Sequence, residues 1–164
     1  MPHRSNAATA LVAAHAAFAT SGVAIDVAAR DENFMPLLAI GCGCRVDATA
    51  GRVTVLVNAT QSRALLAGLA RVPAVAVVFG RPSDHRSLQL KGHDARIEPL
   101  AAGDAQLMLD YREAFTADMA EAGMSRALSH GYLNIDLEDC VALSFAPYAA
   151  FDQTPGPVAG TRID

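Results

Sequence analysis

The segment that begins at Asn58 and ends at Arg63 contains the residue types from which proteins build phosphate-binding sites. An apolar run ends at Asn58, and polar residues typical of a helix start follow it: Thr60, Gln61 and Ser62. We therefore expect free backbone N–H groups, hydroxyl groups and the Arg63 guanidinium to lie close together, which suits a phosphate. Every helix start needs a cap, however, and an arginine in a first turn is usually solvated, so a purely structural role is the alternative.

The three cysteines do not predict a disulfide or a closed metal site. Their number is odd, and Cys42 and Cys44 are too close in sequence to bridge each other along a strand. A Cys-Gly-Cys pair can begin a zinc site, but a closed zinc site needs about four ligands. Only Cys140 and scattered histidines remain to complete one. We therefore predict no metal site.

The usual catalytic signatures are absent from the sequence. It contains no Gly-x-Ser-x-Gly, no Walker loop, no His-Glu-x-x-His and no Gly-x-Gly-x-x-Gly before a helix, so no catalytic residue is predicted. The net charge of −4, with Lys91 as the single lysine, argues against nucleic acid as a partner, because each neutralised phosphate needs its own cation. No apolar run reaches the roughly 20 residues of a membrane-spanning helix, so no membrane partner is expected.

Hydrophobic periodicity predicts a mainly β chain with flanking helices. Apolar residues alternate with polar ones, or run together between turn residues, in six segments. The predicted strands are 23–27, 36–46, 52–58, 74–79, 86–98 and 140–147. Because the connections between the first strands are short, we expect antiparallel neighbours and a small six-stranded barrel.

Residues 1–22 are predicted to form an N-terminal helix. Leu11, His15 and Phe18 fall on one helical face. The alternative is an export signal, since a small-residue cleavage pattern follows an alanine-rich stretch, but polar residues interrupt that stretch. Together with the odd number of cysteines, the helix favours a cytoplasmic location.

Two further helical segments lie along a chain that we interpret as one domain, 1–164. A short helix is predicted at 63–69 and a helical insertion at 103–135, whose apolar stripe has a spacing of four residues. The stripe consists of Leu107, Tyr111, Phe115 and Met119. The acids off this stripe, Asp104 among them, are predicted to be solvated. Prolines around a turn glycine make 148–164 an extended C-terminal tail.

The order of these features resembles the pyridoxamine 5′-phosphate oxidase-like superfamily of FMN-binding split barrels. Three stretches within about residues 20 to 100 carry the resemblance. They are 29–36, 53–69 with its Ser62-Arg63 pair, and 72–79 followed by 86–92. In the oxidase itself a lysine follows the arginine of this pair, whereas Ala64 follows it here.

The resemblance implies a homodimer of six-stranded split barrels that binds FMN and a small-molecule ligand at the subunit interface. The flavin phosphate would sit at Ser62 and Arg63. The ring would lie along 37–43, where glycines permit a close approach of the backbone. The implied cofactor-binding residues are Asn58, Thr60, Gln61, Ser62, Arg63, Arg86, Ser87, Gln89 and Lys91. The cations considered for the ring are Arg45, Arg86 and Lys91.

The activity implied by the resemblance is that of an FMN-dependent oxidoreductase acting on an unknown small molecule. Two alternatives stay open for the cofactor. One is a haem, with His85, His93 or His130 as the axial ligand, and the other is a deazaflavin. A third possibility is a dimeric barrel that binds a small metabolite or a partner without any cofactor.

Overall fold

The computed structural model describes residues 3–133 and 136–163, which form eight strands and four α-helices. The strands are β1 (Ala24–Arg30), β2 (Pro36–Asp47), β3 (Arg52–Asn58), β4 (Val75–Gly80), β5 (Ser87–Gly92), β6 (Arg96–Glu98), β7 (Cys140–Phe145) and β8 (Pro147–Asp152). The helices are α1 (His3–Ala19), α2 (Arg63–Arg71), α3 (Asp104–Glu121) and α4 (Arg126–Tyr132). The first two residues of the predicted N-terminal helix, the last two of the predicted insertion and the last residue of the predicted tail lie outside the described residues.

The strands form one sheet in the order β6-β7-β3-β2-β1-β4-β5-β8. All neighbouring strands are antiparallel, as the short connections predicted. The sheet curves around the core but does not close, so β6 and β8 are its two edges. The chain is therefore mainly β with flanking helices, as expected from its periodicity.

The predicted number of six strands is wrong, because one predicted strand is divided and the predicted tail contains a strand. The segment 86–98 divides after Gly92, where an added Cβ atom would lie 2.6 Å from the Phe145 ring. As a result β5 pairs with β4 and β8, whereas β6 pairs with β7. The predicted strand 140–147 ends at Phe145. After Ala146, whose N–H donates to the Asp94 carboxylate at 2.8 Å, the chain continues into β8, which occupies the start of the predicted tail 148–164.

Neither edge of the sheet presents a long strand with free backbone hydrogen-bonding groups. β6 has only three residues. Along the outer side of β8, Phe151 pairs with Arg162 in an antiparallel bridge. The Asp152 N–H donates to the Thr161 carbonyl and the Ile163 N–H to the Ala150 carbonyl, each at 2.9 Å. The end of the chain thus returns along β8 and covers it.

The core lies on the inner face of the sheet, and the alternation of burial in β4 and β5 is that of strands with one buried face. Phe79, Phe145 and Phe115 are among its largest fully buried side chains. In α3 the Tyr111 hydroxyl donates to the Val23 carbonyl at 2.8 Å, which fixes the helix over the start of β1. The core therefore unites the sheet and the helical insertion.

The helical insertion differs from its prediction in two respects. It is two helices, because the chain turns at Gly123 with a φ of 83° before α4 begins. Asp104 is not solvated: it is 2% exposed, and it accepts a hydrogen bond from Arg45 Nε at 2.8 Å. The partner of Asp104 lies 59 residues away, so local periodicity could not reveal this ion pair.

Within the described residues, no helix combines the length and the hydropathy that crossing a bilayer requires.

Candidate functional site

The predicted phosphate site lies where β3 ends and α2 begins. Asn58 organises this turn, since its side-chain oxygen accepts the Gln61 N–H at 2.8 Å and its carbonyl accepts the Ser62 N–H at 3.0 Å. Ser62 is 3% exposed, and its side chain makes no capping hydrogen bond to the helix. Thr60, Gln61 and Arg63 are exposed. The structure therefore brings the first five predicted residues together.

A carboxylate that the sequence analysis did not single out lies against this turn. The Asp139 carboxylate accepts the Thr60 N–H at 3.2 Å, and its backbone carbonyl accepts the Ala59 N–H at 2.7 Å. An anionic side chain is favourable near a helix N-terminus for the same electrostatic reason that a phosphate is. Asp139 thus uses one of the donors expected to serve a phosphate.

Arg63 is an exposed cation beside this turn. It lies exposed in the first turn of α2, and no ion pair engages it within residues 3–133 and 136–163. The other arginine of the helix, Arg71, lies at the opposite end and pairs with Glu32 at 3.1 Å. Arg63 together with the side chains of Thr60 and Gln61 can therefore contact an anion from solvent.

An exposed apolar strip leads up to this turn. Leu38 and Ile40 project from the outer face of β2 and are 74% and 42% exposed, and Phe34 and Met35 extend the strip into the adjoining hairpin. Ile40 also lines a small cavity with Asn58 and Gln61. Such a patch of large apolar side chains is unusual on a surface that faces only water.

The small cavity at the end of the strip has a volume of about 30 Å³, about the share of one water molecule in the liquid. Tyr132 and Leu133, which end the helical insertion, form part of its walls. Because a planar three-ring group is far larger than this cavity, such a group would lie on the outer surface of β2 rather than inside one copy of the chain.

The glycines of β2 do not serve the role expected of them. An added Cβ atom at Gly41 would lie 2.7 Å from Ile25 and 2.8 Å from Val55, both of which belong to the core. At Gly43 it would lie 2.8 Å from Leu107 of α3. The space left by these glycines is therefore filled by protein, so they permit close packing of the sheet and not the approach of a ligand.

The remaining predicted residues are Arg86, directly before β5, and Ser87, Gln89 and Lys91 on β5, which is four strands away from β3 in the sheet order. At about 4.8 Å per strand this is about 19 Å along the sheet. The Arg86 guanidinium lies 4.7 Å from the centroid of the Phe18 ring, and Lys91 Nζ lies 4.5 Å from that of Phe151. The structure therefore does not bring the two groups of predicted residues together within one copy.

The C-terminal segment contacts the other predicted residues of β5. The Ser87 N–H donates to the Thr154 hydroxyl at 3.1 Å, and Gln153 Nε2 donates to Gln89 Oε1 at 3.3 Å. Arg45, the third cation considered for a ring, is held by Asp104 and is not available to a ligand.

Solved structures provide the comparison that decides the fold. A conserved hypothetical protein of Mycobacterium tuberculosis matches with a TM-score of 0.51 at 17% identity, over 85% of this chain and 82% of that one. An F420 reductase matches with a TM-score of 0.51 at 15% identity, over 82% and 93%. General stress protein 26 of Bacillus anthracis matches with a TM-score of 0.50 at 15% identity, over 87% and 92%. The chain has the split-barrel fold of the pyridoxamine 5′-phosphate oxidase-like proteins. No family model matches the sequence, and no curated protein matches it.

The outer face of this split barrel is continuous from β2 to β5. One cross-strand row contains Leu38, Ala28, Ala76 and Lys91, and the next contains Ile40, Asp26, Val78 and Gln89. Partial desolvation beside these apolar neighbours raises the pKa of the Asp26 carboxyl group, although Asp26 lies on the exposed face of β1. The alternation of residues in β1 places Asp26 on the side opposite to Ile25 and Val27. Its apolar neighbours, Ile40 of β2 and Val78 of β4, depend on the register between strands, which the sequence does not reveal.

The three histidines considered as haem ligands are dispersed over the split barrel. His93 stacks on Tyr148 with ring centroids 4.1 Å apart, and His130 Nε2 lies 3.6 Å from the Glu113 carboxylate. His85 lies in the turn before β5 with a φ of 61°. None of the three lines the cavity at the end of β2.

Proposed function

We propose that this chain binds FMN at the start of α2 and along the outer face of β2, and that it acts as an oxidoreductase on a small molecule. The observation that carries the proposal is the arrangement of two complementary surfaces. An exposed apolar strip, Leu38 and Ile40, ends beside a helix start whose Arg63 is exposed and unpaired among the described residues. A molecule with an apolar planar part and an anionic end matches that order of surfaces.

We propose further that the site is completed by a second copy of the chain. The outer face of one copy covers a planar ring from one side only, and large exposed apolar strips mark association surfaces. Association through this face also accounts for the distance between the two groups of predicted residues, since the β5 group of one copy can then lie beside the α2 group of the other.

In this proposal the chain's residues bind and orient the cofactor, which supplies the redox chemistry. Arg63 would hold the phosphate, and Leu38 and Ile40 would contact the ring. Arg86 and Lys91 are the cations of β5 that could approach it from the other copy. A cation near the ring stabilises its reduced, anionic form. No residue is assigned as an acid or a base.

The test compares two arginines of the same helix. Arg63→Glu should weaken FMN binding by about 10- to 100-fold, because one charge-assisted hydrogen bond contributes about 1.5–3 kcal/mol. Riboflavin, which lacks the phosphate, should bind about as well to the variant as to the wild type. The matched control is Arg71→Glu, the same charge change at the end of α2 that pairs with Glu32. Fluorescence titration measures both ligands.

Equal losses for FMN and riboflavin would place the phosphate elsewhere. A purified protein that takes up neither flavin would contradict the proposal and favour the second candidate, a dimeric barrel that binds a metabolite without a cofactor. The observation that favours this candidate is the Asp139 carboxylate, which accepts the Thr60 N–H and disfavours a second anion there. The absorption spectrum of the fresh protein also separates FMN from the deazaflavin and haem alternatives.

A further inference from the structure

Three sulfur atoms from distant parts of the sequence meet beneath the cavity at the end of β2. Cys42 Sγ lies 3.9 Å from Cys140 Sγ and 3.6 Å from Met108 Sδ. They belong to a buried cluster separate from the main core, whose other buried members are Leu56 and Ala142. The bulge in β2 between Gly41 and Gly43 turns Cys42 toward this cluster.

We infer that Cys42, Cys140 and Met108 form a binding site for a soft monovalent metal ion, Cu(I). This inference does not rest on the proposed flavin site, because its ligands are different side chains, although Ile40, Asn58 and Gln61 of that site line the cavity above them. The spacing of the cysteines in the sequence does not reveal this pair. Cys42 lies beside Cys140, 98 positions away, and not beside Cys44, which is two residues away. Cys44 is buried separately in the main core.

The sulfur positions match those of ligands around one ion. Metal–thiolate bonds are about 2.3 Å long. Two sulfurs 3.9 Å apart at that distance subtend about 116° at the ion, and two sulfurs 3.6 Å apart subtend about 103°. These two angles lie near the trigonal and tetrahedral values, so Cys42 is spaced to share one ion with Cys140 and with Met108.

The ligand types select a soft ion. Thiolate and thioether sulfur favour Cu(I), whereas structural zinc takes four ligands, usually thiolates and imidazoles. Among residues 3–133 and 136–163, no cluster of three or more histidine, cysteine, aspartate or glutamate side chains could hold a metal. The third ligand here is instead the fully buried Met108 thioether, which is a poor ligand for Zn²⁺.

Metal binding would replace the contacts that the two thiols make in the metal-free protein, where Cys42 Sγ and Cys140 Sγ lie 3.9 Å apart. Without metal, backbone carbonyls are also close to both sulfurs: Leu56 O lies 3.2 Å from Cys42 Sγ and Asp136 O lies 3.1 Å from Cys140 Sγ. Binding of Cu(I) as a bis-thiolate would release both thiol protons, so the affinity should rise with pH.

The cavity provides the route of entry. Cys42 and Cys140 both line it, together with Ile40 and Tyr132, which are exposed. The sulfurs therefore lie one layer below the surface, and their buried neighbours on the inner side, Leu56 and Ala142, are apolar. Apolar neighbours favour a soft ion bound by sulfur over a strongly hydrated one.

The experiment is an anaerobic titration of the reduced full-length protein with Cu(I) held by the coloured chelator bicinchoninate. We expect the chain to take one Cu(I) from the chelator, and X-ray absorption to detect only sulfur at about 2.3 Å. Cys42→Ala and Cys140→Ala should each lower the affinity by at least about 100-fold, since even outer partners of metal sites contribute about 10- to 100-fold. Cys44→Ala, the matched control, should bind like the wild type.

Met108→Leu keeps both thiols and nearly the same volume, so it tests the third ligand even if a cysteine variant fails to fold. It should lower the affinity about 10-fold and leave two sulfur scatterers. Four results would overturn the inference: copper binding unchanged in Cys42→Ala or Cys140→Ala, binding lost in Cys44→Ala, nitrogen or oxygen in the metal shell, or Zn²⁺ displacing Cu(I) at equal concentration.

Discussion

At the scale of single residues, the environment of the acids is what the sequence least reveals. Asp104 was predicted to be solvated, and Asp139 and Asp26 were not singled out from the sequence. In the structure Asp104 pairs with Arg45, Asp139 accepts the Thr60 N–H, and Asp26 lies between Ile40 and Val78. Each environment is created by residues brought from another part of the chain. Periodicity predicts on which side of an element a residue lies, but it does not identify the neighbour.

Asp26→Asn should increase stability at neutral pH. The pKa of Asp26 is raised in the folded protein, so between its unfolded and folded pKa values the native state binds more protons. The free energy of unfolding therefore falls as the pH rises through that window and stays lower above it. The variant removes this loss, and the gain at pH 7 should be below about 1 kcal/mol, because water screens an exposed charge.

Thermal unfolding between pH 3 and pH 8 measures this effect. The wild type should lose stability relative to Asp26→Asn as the pH rises, and the two should converge in acid, where both side chains are neutral. Glu121→Gln, at the exposed end of α3, is the control and should show no such divergence. Parallel curves for Asp26→Asn and the wild type would contradict the assigned environment.

At the scale of elements, the sequence predicted most strands and helices, but it missed two divisions and one strand. The strands β1, β2, β3 and β4 and the helix α2 lie within a few residues of their predicted bounds. The divisions between β5 and β6 and between α3 and α4 were missed, and β8 lies in the segment that was predicted as an extended tail. Contacts such as that of Gly92 with the Phe145 ring cause the first of these divisions, and such contacts exist only after folding.

Gly22→Ala should destabilise the junction between α1, β1 and α3. Gly22 has a φ of 78°, and an added Cβ atom would overlap Ala114 of α3. The left-handed conformation alone costs an alanine about 1–2 kcal/mol, and the displacement of α3 adds to that. Chemical denaturation should therefore show a loss of more than about 1 kcal/mol.

Gly131→Ala is the matched control, because nothing lies within 4 Å of its added Cβ atom and it occupies α4. Alanine is favoured over glycine in a helix by about 1 kcal/mol, so this variant should be at least as stable as the wild type. A Gly22→Ala variant of unchanged stability would show that α3 does not pack on this turn.

At the scale of the whole molecule, antiparallel connection and mainly β architecture followed from the sequence, because short loops permit little else. The sequence did not predict that the proposed site residues form two groups that lie apart in one copy of the chain. Motif spacing places residues on elements, whereas the separation of β3 and β5, about 19 Å along the sheet, depends on the strand order. That distance makes the oligomeric state the central question for the proposed site.

Leu38→Lys should abolish self-association without loss of folding. Leu38 is 74% exposed in the single chain, so the substitution removes no core contact, but it would bury a charge in the proposed interface. Sedimentation velocity should show a dimer for the wild type and a monomer for the variant. Met124→Lys, at a residue 43% exposed between α3 and α4, should remain dimeric. A monomeric wild type would exclude a site shared by two copies.

The covered border of β8 and the brevity of β6 determine how copies of this chain can meet. Few backbone N–H and C=O groups at the sheet edges are free to pair with a strand of another molecule. Fibre formation by edge-to-edge strand pairing is therefore disfavoured. Any assembly then depends on side chains alone. Two copies held by side-chain contacts can separate without breaking a shared backbone hydrogen-bond ladder and without unfolding. If copies of this chain associate, each copy can therefore exchange its partner.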